Sequence, residues 1–271
     1  MHGAGNDFVL LDGLTTPLSP QLDTARAAQL LCARHFGVGA DGLLSLEPSN
    51  VADLQMRMWN PDGTPDMCGN GLRCVAALAH RLNHVGKTEF CVETIAGIRA
   101  IELLPDGRIR AAMGRPQLSP DIVPLRAGSE RLRDAALEIA GQKIPNVTAL
   151  STGSTHTVIF RDAPPGEAEF QRWSPLIEND ALFPARTSVM WAVAEGANRF
   201  KIRIWERGAG ETLACGTGAC AVAVAAQLTS RARGPVAIES RGGVLEVEWH
   251  APDGEIFLTG RASYVFEGKW R

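Results

Sequence analysis

Met67-Cys68-Gly69-Asn70-Gly71-Leu72-Arg73-Cys74-Val75-Ala76 is written a second time, with substitutions, as Ala214-Cys215-Gly216-Thr217-Gly218-Ala219-Cys220-Ala221-Val222-Ala223. The leading cysteines stand 147 positions apart (215 − 68). Just upstream, Met58-Trp59-Asn60 matches Ile204-Trp205-Glu206. Downstream, Glu93-Thr94-Ile95-Ala96-Gly97 matches Glu239-Ser240-Arg241-Gly242-Gly243, and the turn Pro105-Asp106-Gly107 matches Pro252-Asp253-Gly254. Any one match is chance. Four at a nearly constant offset mark an internal duplication.

Each copy reads in the same order, a strand-rich entry, a Gly-rich turn, a helix and a hairpin. Ile101–Leu104 and Arg108–Met113 flank Pro-Asp-Gly as hairpin arms, as do Val244–Trp249 and Glu255–Leu258. The helix after Cys68 carries Leu72, Val75, Ala76, Ala79 and Leu82 at helical spacing and is expected to close near Gly86. The helix after Cys215 is small and apolar through Leu228, the pattern of a buried helix. The expected fold class is therefore α+β: two pseudo-symmetric halves, each a barrel-like sheet around one central helix. Pseudo-symmetry would bring the two Cys-Gly-x-Gly turns to a shared cleft; a duplicated turn of purely structural value is the alternative.

The 271 residues are 45% hydrophobic and 21% charged, which is ordinary globular composition with room for two domains. A net charge of −3 without a basic block argues against nucleic acid or an anionic membrane as partner. One tyrosine and 6% aromatics leave no platform for stacking bases. No stretch has the length of a membrane span, and the first eight residues lack the regions of a signal peptide. The cytoplasm is the expected compartment, where six cysteines stay thiols rather than forming three disulfides.

Two cysteines at two helix starts suggest a chemistry. The first helical turn leaves N–H groups unpaired and positively polarised, which lowers a thiol's pKa and attracts carboxylates. Gly69, Gly71, Gly216 and Gly218 would let the backbone approach a ligand. Inverting a stereocentre by proton transfer needs a base on one face of the carbon and an acid on the other, with roles exchanged in the reverse direction. Cys68 and Cys215 supply such a thiolate/thiol pair. Two anion-holding helix starts supply the preorganised charge that a weakly acidic α-carbon requires. No metal or pyridoxal cofactor is demanded.

Several other residues carry plainer readings. Cys32, Cys74, Cys91 and Cys220 are expected in the core. Cys68 with Cys74, and Cys215 with Cys220, do not share a helix face, so chelation within one helix is not expected. His80 and His84 share a face at i, i+4, yet without an acidic partner they read as a solvated pair. The Gly-rich turns lack the Lys-Ser/Thr ending of a phosphate-binding loop and the third glycine of a dinucleotide fingerprint.

At these residues the sequence closely resembles the diaminopimelate epimerase family of cofactor-independent, two-cysteine enzymes. The resemblance is carried by His2–Phe8, Phe36–Gly42, Asn60–Gly63, Met67–Cys74 and Trp205–Cys220. It implies two similar halves, one running over residues 1–114 and completed by 260–271, the other over 115–259, with the site between them. It assigns Cys68 and Cys215 as the acid/base pair and the amides of Gly69, Asn70, Gly216 and Thr217 as the carboxylate cradle. Asn6, Asn60, Glu206 and Arg207 would hold the ligand's polar groups, Arg207 by a two-pronged grip on a carboxylate. His156 matches a family histidine beside the site.

The family's usual Gly-Asn-Pro-His is Gly153-Ser154-Thr155-His156 here, and its Arg-Thr-Asn is Arg186-Thr187-Ser188. Both replaced asparagines belong to the end of the pocket that recognises the non-reacting half of the substrate. The expected reaction is interconversion of LL- and meso-diaminopimelate, in lysine and peptidoglycan biosynthesis. The alternative is a cofactor-independent racemase of another amino acid, such as histidine or a basic one, because of Ser154 and Ser188. A non-catalytic thiol switch joining Cys68 to Cys215 is the competing class; it does not need matched anion sites. Family members have several residues before Met-His-Gly, so the natural start is expected upstream of Met1. The expected partner is a small amino-acid substrate; a homodimer is left open.

Overall fold

The computed structural model describes residues 1–119, 123 and 132–270. The chain divides into two compact units, Met1–Ala112 with Thr259–Arg271, and Met113–Leu258. The first unit runs β1 (His2–Gly3), β2 (Asn6–Asp12), α1 (Thr24–Cys32), β3 (Gly42–Glu47), β4 (Leu54–Trp59), α2 (Gly69–Arg81), β5 (Glu89–Thr94), β6 (Gly97–Leu103) and β7 (Ile109–Gly114). The second runs β8 (Ala135–Ile139), β9 (Gln142–Ser151), β10 (Thr155–Arg161), α3 (Glu167–Glu178), β11 (Ser188–Gly196), β12 (Arg199–Glu206), β13 (Gly210–Thr212), α4 (Gly216–Leu228), β14 (Val236–Ser240), β15 (Gly243–Trp249) and β16 (Ile256–Gly260). No helix among the described residues is long and apolar enough to cross a membrane.

The duplication survives at the level of hydrogen-bonded pairing. In the first unit β2 and β3 are parallel, β3 and β4 antiparallel, β4 and β5 parallel, β5 and β6 antiparallel. In the second, β10 and β11, β11 and β12, β12 and β14, and β14 and β15 repeat that series. Even the register is kept, because Leu43 faces Trp59 and Val189 faces Trp205. A parallel pair needs a long crossover, and a helix is the usual one. The helices α1 and α2 serve the first unit in this way, and α3 and α4 the second.

Both α2 and α4 lie inside their own sheets. Leu72, Val75, Ala76 and Ala79 of α2 join Phe8, Leu44, Met56, Phe90, Val92, Ile101 and Ile109 in one core drawn from strands β2 to β7. The helix α4 packs on β9, β10, β11, β14 and β15, and Ala219 through Ala226 are all buried. So tight an enclosure dictates small residues near the helix start. A Cβ at Gly218 would sit 2.6 Å from Met190 Cε, and one at Gly71 would sit 3.1 Å from Leu44 Cδ2. These two glycines face their own cores, which corrects the expectation that they open the backbone to a ligand.

Two further expectations are corrected. The helix α2 stops at Arg81 rather than near Gly86: Leu82 caps it, and Asn83 turns the chain at φ +57°. His84 therefore leaves the helix face it was expected to share with His80. Its Nε2 lies 3.1 Å from both carboxylate oxygens of Asp12, while His80 stays exposed. The acidic partner comes from β2, 72 residues away, where no local pattern could reveal it.

The packing of α2 predicts sharply unequal substitutions on one helix. Leu72 is fully buried, and Leu72→Ala is expected to cost about 2–5 kcal/mol in urea unfolding. Leu82 is 40% exposed, and Leu82→Ala is expected to stay within about 0.5 kcal/mol. Equal losses would mean that α2 is not the core helix.

Candidate active site

Cys68 is the N-cap of α2, in extended geometry at φ −135° and ψ 125°. Its backbone carbonyl accepts the first helical bond from Leu72 N (2.8 Å), so the amides of the opening residues Gly69, Asn70 and Gly71 precede the helix's own ladder. The Cys68 Sγ donates to Asn6 Oδ1 at 3.4 Å. That same oxygen accepts from Asn70 Nδ2 at 3.2 Å, and Asn6 Nδ2 donates to Asp41 Oδ2 at 2.8 Å. Asn70 Oδ1 in turn accepts from Arg73 Nη2 at 2.6 Å, and Arg73 Nη1 reaches the Gly69 carbonyl at 3.2 Å. Arg73 is fully buried. Asn60 stands in the turn after β4, where its Nδ2 donates to Thr64 Oγ1 (3.2 Å) and Asp66 Oδ2 (3.3 Å).

Cys215 is the matching N-cap of α4, at φ −133° and ψ 113°. Gly218 N donates to its Sγ at 3.4 Å, and Thr217 Oγ1 lies 3.4 Å from the same sulfur. The helix start was expected to lower this thiol's pKa. The structure reverses that: burial first, and the Glu206 carboxylate second, hold Cys215 well above the ordinary thiol range, against the smaller pull of Thr217 and Gly218. Glu206 ends β12 and accepts a short hydrogen bond from Thr212 Oγ1. The neighbouring thiols are inert core groups, Cys74 pushed up to about 12 and Cys32 up to about 11, chiefly by burial. Cys220 is buried too, whereas Cys91 on β5 is only partly so.

The remaining expected residues of the second unit fall into two groups. His156 on β10 is fully buried, and its Nε2 pairs with Ser154 Oγ at 3.1 Å. Burial, helped by the Arg207 cation, drives its pKa down to about 3. It is a neutral imidazole. Ser188 begins β11 beside it in register, and its Oγ accepts from Arg207 N at 3.1 Å. The Arg207 guanidinium is exposed and rests on the Ala185 carbonyl at 2.9 Å.

In the first unit Cys68, Asn6, Asn70 and Gly69 are in direct contact, with Asn60 in the turn behind the helix start. In the second, Cys215, Glu206, Thr217 and Gly216 cluster, joined by the strand pair carrying His156 and Ser188. Three residues that hold these groups escaped the sequence reading. Asp41 lies inside the quoted Phe36–Gly42 stretch, and Arg73 is the one charge in the apolar run Leu72–Ala79. Buried Glu178, at the end of α3, accepts from Arg186 Nη1 (3.0 Å), Trp205 Nε1 (2.7 Å) and Gly208 N (2.8 Å), and so pins the loop carrying Arg207. Nothing in its local sequence signals that role. Among the described residues no three His, Cys, Asp or Glu side chains are grouped to hold a metal ion.

Comparison with known proteins identifies the family and the fold. The family model "Diaminopimelate epimerase" matches residues 1–119 and 148–265. A diaminopimelate epimerase of Desulforudis audaxviator is 45% identical, over 100% of this chain and 97% of its own. One from Synechocystis is 42% identical, over 99% and 96%. Among solved structures, a hydroxyproline epimerase of Agrobacterium vitis aligns with TM-score 0.67 at 15% identity, covering 97% of this chain and 89% of its own. A phenazine biosynthesis protein of the PhzF family from Bacillus anthracis aligns with TM-score 0.66 at 17% identity, covering 98% and 93%. These two establish a shared fold. On the sequence matches over its whole length, the chain belongs to the diaminopimelate epimerase family.

Proposed function

We propose that this protein is an isomerase that interconverts LL- and meso-diaminopimelate. One thiolate of the pair Cys68 and Cys215 removes the α-proton, and the other thiol returns a proton to the opposite face. The observation that carries this reading is that both cysteines are N-caps of 13-residue helices, placed by the same strand order in two copies. Backbone amides of Gly69 and Asn70, and of Gly216 and Thr217, hold the carboxylate on which charge develops. Asn6, Asn60, Glu206 and Arg207 take the ligand's polar groups, Ser154 and Ser188 line its distal end, and His156 stands beside the site. The functional halves are taken as 1–114 with 260–271, and 115–259.

Relatives 40–45% identical over nearly the full chain are named diaminopimelate epimerases, which supports this substrate. Nothing favours a different amino acid: Ser154 and Ser188 are already engaged, by His156 and by the Arg207 amide. Six free thiols support a reducing compartment, the cytoplasm. A homodimer is the assembly to test by light scattering, where a particle near 29.0 kDa would exclude it.

In D₂O under reducing conditions, LL-diaminopimelate should exchange its α-hydrogen, while a panel of other L-amino acids should not. The Cys68→Ala, Cys215→Ala double variant should lose at least roughly a hundredfold in rate. Exchange with another amino acid alone would keep the chemistry and overturn the substrate.

Because His156 is neutral in the folded protein, it does not shuttle protons, and its burial makes stability depend on pH. The unfolded chain takes a proton near 6.5, the folded chain only near 3. Unfolded molecules thus bind more protons between these values, and stability falls as pH drops through that window, by on the order of 5 kcal/mol when complete. His156→Gln should remove most of that slope in urea titrations at pH 7 and 4.5. An unchanged slope would show that His156 is not the group responsible.

A further inference from the structure

The two copies differ in the polar groups that surround their cysteines. At the offset of the duplication, Arg73 corresponds to Cys220, Asn70 to Thr217, and Asp41 to Thr187. The second unit has only neutral groups at these three positions. Thr217 Oγ1, beside Cys215, is a rotatable hydroxyl that can donate or accept.

The first unit holds a directed chain with a charge at each end. Arg73 can only donate, which obliges Asn70 to present Oδ1 to it and to turn Nδ2 outward. Asn70 Nδ2 then meets Asn6 Oδ1, and Asn6 Nδ2 meets Asp41, which as a carboxylate can only accept. Both amides are therefore fixed from opposite ends, by charge-assisted bonds stronger than amide–amide ones. The consequence falls on Cys68, whose sulfur faces Asn6 Oδ1, an oxygen that stabilises S–H and repels S⁻.

We infer that Asp41 and Arg73 are positioning residues that hold the Asn6 carbonyl toward Cys68 and so keep that cysteine as the thiol in the ligand-free protein. The inference rests on the two-thiol reading above and adds how one thiol is kept protonated against the pull of its own helix. Neighbouring segments carry other titratable groups. Asp66, in the preceding turn, is exposed and bonds to the Met67 amide. The Met1 amino group is held by the Phe8 carbonyl, and His2 Nδ1 accepts from Gly5 N. Asp7 and Asp41 share Arg34, each at 2.9 Å.

That shared arginine provides the control. Asp7 and Asp41 belong to the same ion cluster and are partly exposed, but the Asp7 carboxylate makes no bond to Asn6. Asp41→Asn removes the charged acceptor, so the Asn6 carbonyl is held toward Cys68 from the Asn70 end alone, by an amide–amide bond. Asp7→Asn removes a like charge and leaves Asn6 in place.

The test is the pH dependence of iodoacetamide alkylation at Cys68, followed by peptide mass mapping of the full-length protein, with circular dichroism to confirm folding. Asp41→Asn should lower the Cys68 midpoint by about one pH unit, a roughly tenfold higher thiolate fraction below it. Asp7→Asn should move it by less than about a third of that. Equal shifts in the two variants, or a rise in Asp41→Asn, would overturn the inference. α-Hydrogen exchange by the unsubstituted protein is followed in parallel. Its absence would sink the two-thiol reading itself, whereas exchange with equal midpoints would sink only the positioning of Asn6.

Discussion

A helix enclosed by its own sheet has to be thin where it enters, and that constraint governs this protein. Gly71 against Leu44 and Gly218 against Met190 admit the first turn of each central helix into a space no larger side chain fits without displacement. The first-turn amides have no carbonyls of the helix to bond, and a cysteine stands at the cap of each. The packing solution and the chemical opportunity are thus the same few residues. The surrounding strands follow from it, because each parallel pair requires a crossover and each crossover supplies a helix.

Duplication explains why the two sites are alike, and divergence explains why they are not equivalent. One cysteine is served by amides locked between an arginine and an aspartate. The other is buried beside a glutamate and a rotatable hydroxyl. A two-base reaction needs two groups of one chemical type in opposite protonation states at any moment. Identical surroundings would not distinguish them. Different ones can.

The polar groups that hold the sites are largely buried, and their spending is local. Glu178 satisfies three donors of the 186 and 205–208 segments, and Arg73 satisfies acceptors at the start of α2. A buried charge left without such partners is costly, so these residues fix geometry more firmly than exposed ion pairs do. His156 takes the opposite course and stays uncharged.

The sequence by itself determined the duplication, the α+β class, the helix beginning just after each cysteine and the matched places of Cys68 and Cys215 at those helix starts. All of these rest on periodicity, small-residue runs and repeated motifs, which are local. The tertiary structure decided what surrounds those motifs. His84 pairs with Asp12 rather than sharing a surface with His80, Gly71 and Gly218 serve packing, and Cys215 is raised rather than lowered. Asp41 meets Asn6 from 35 residues away and Asn70 meets it from 64 residues away, whereas Arg73 reaches Asn70 within one turn of α2. Desolvation and hydrogen-bond direction depend on which segments meet in space, and that information exists only once the chain has folded.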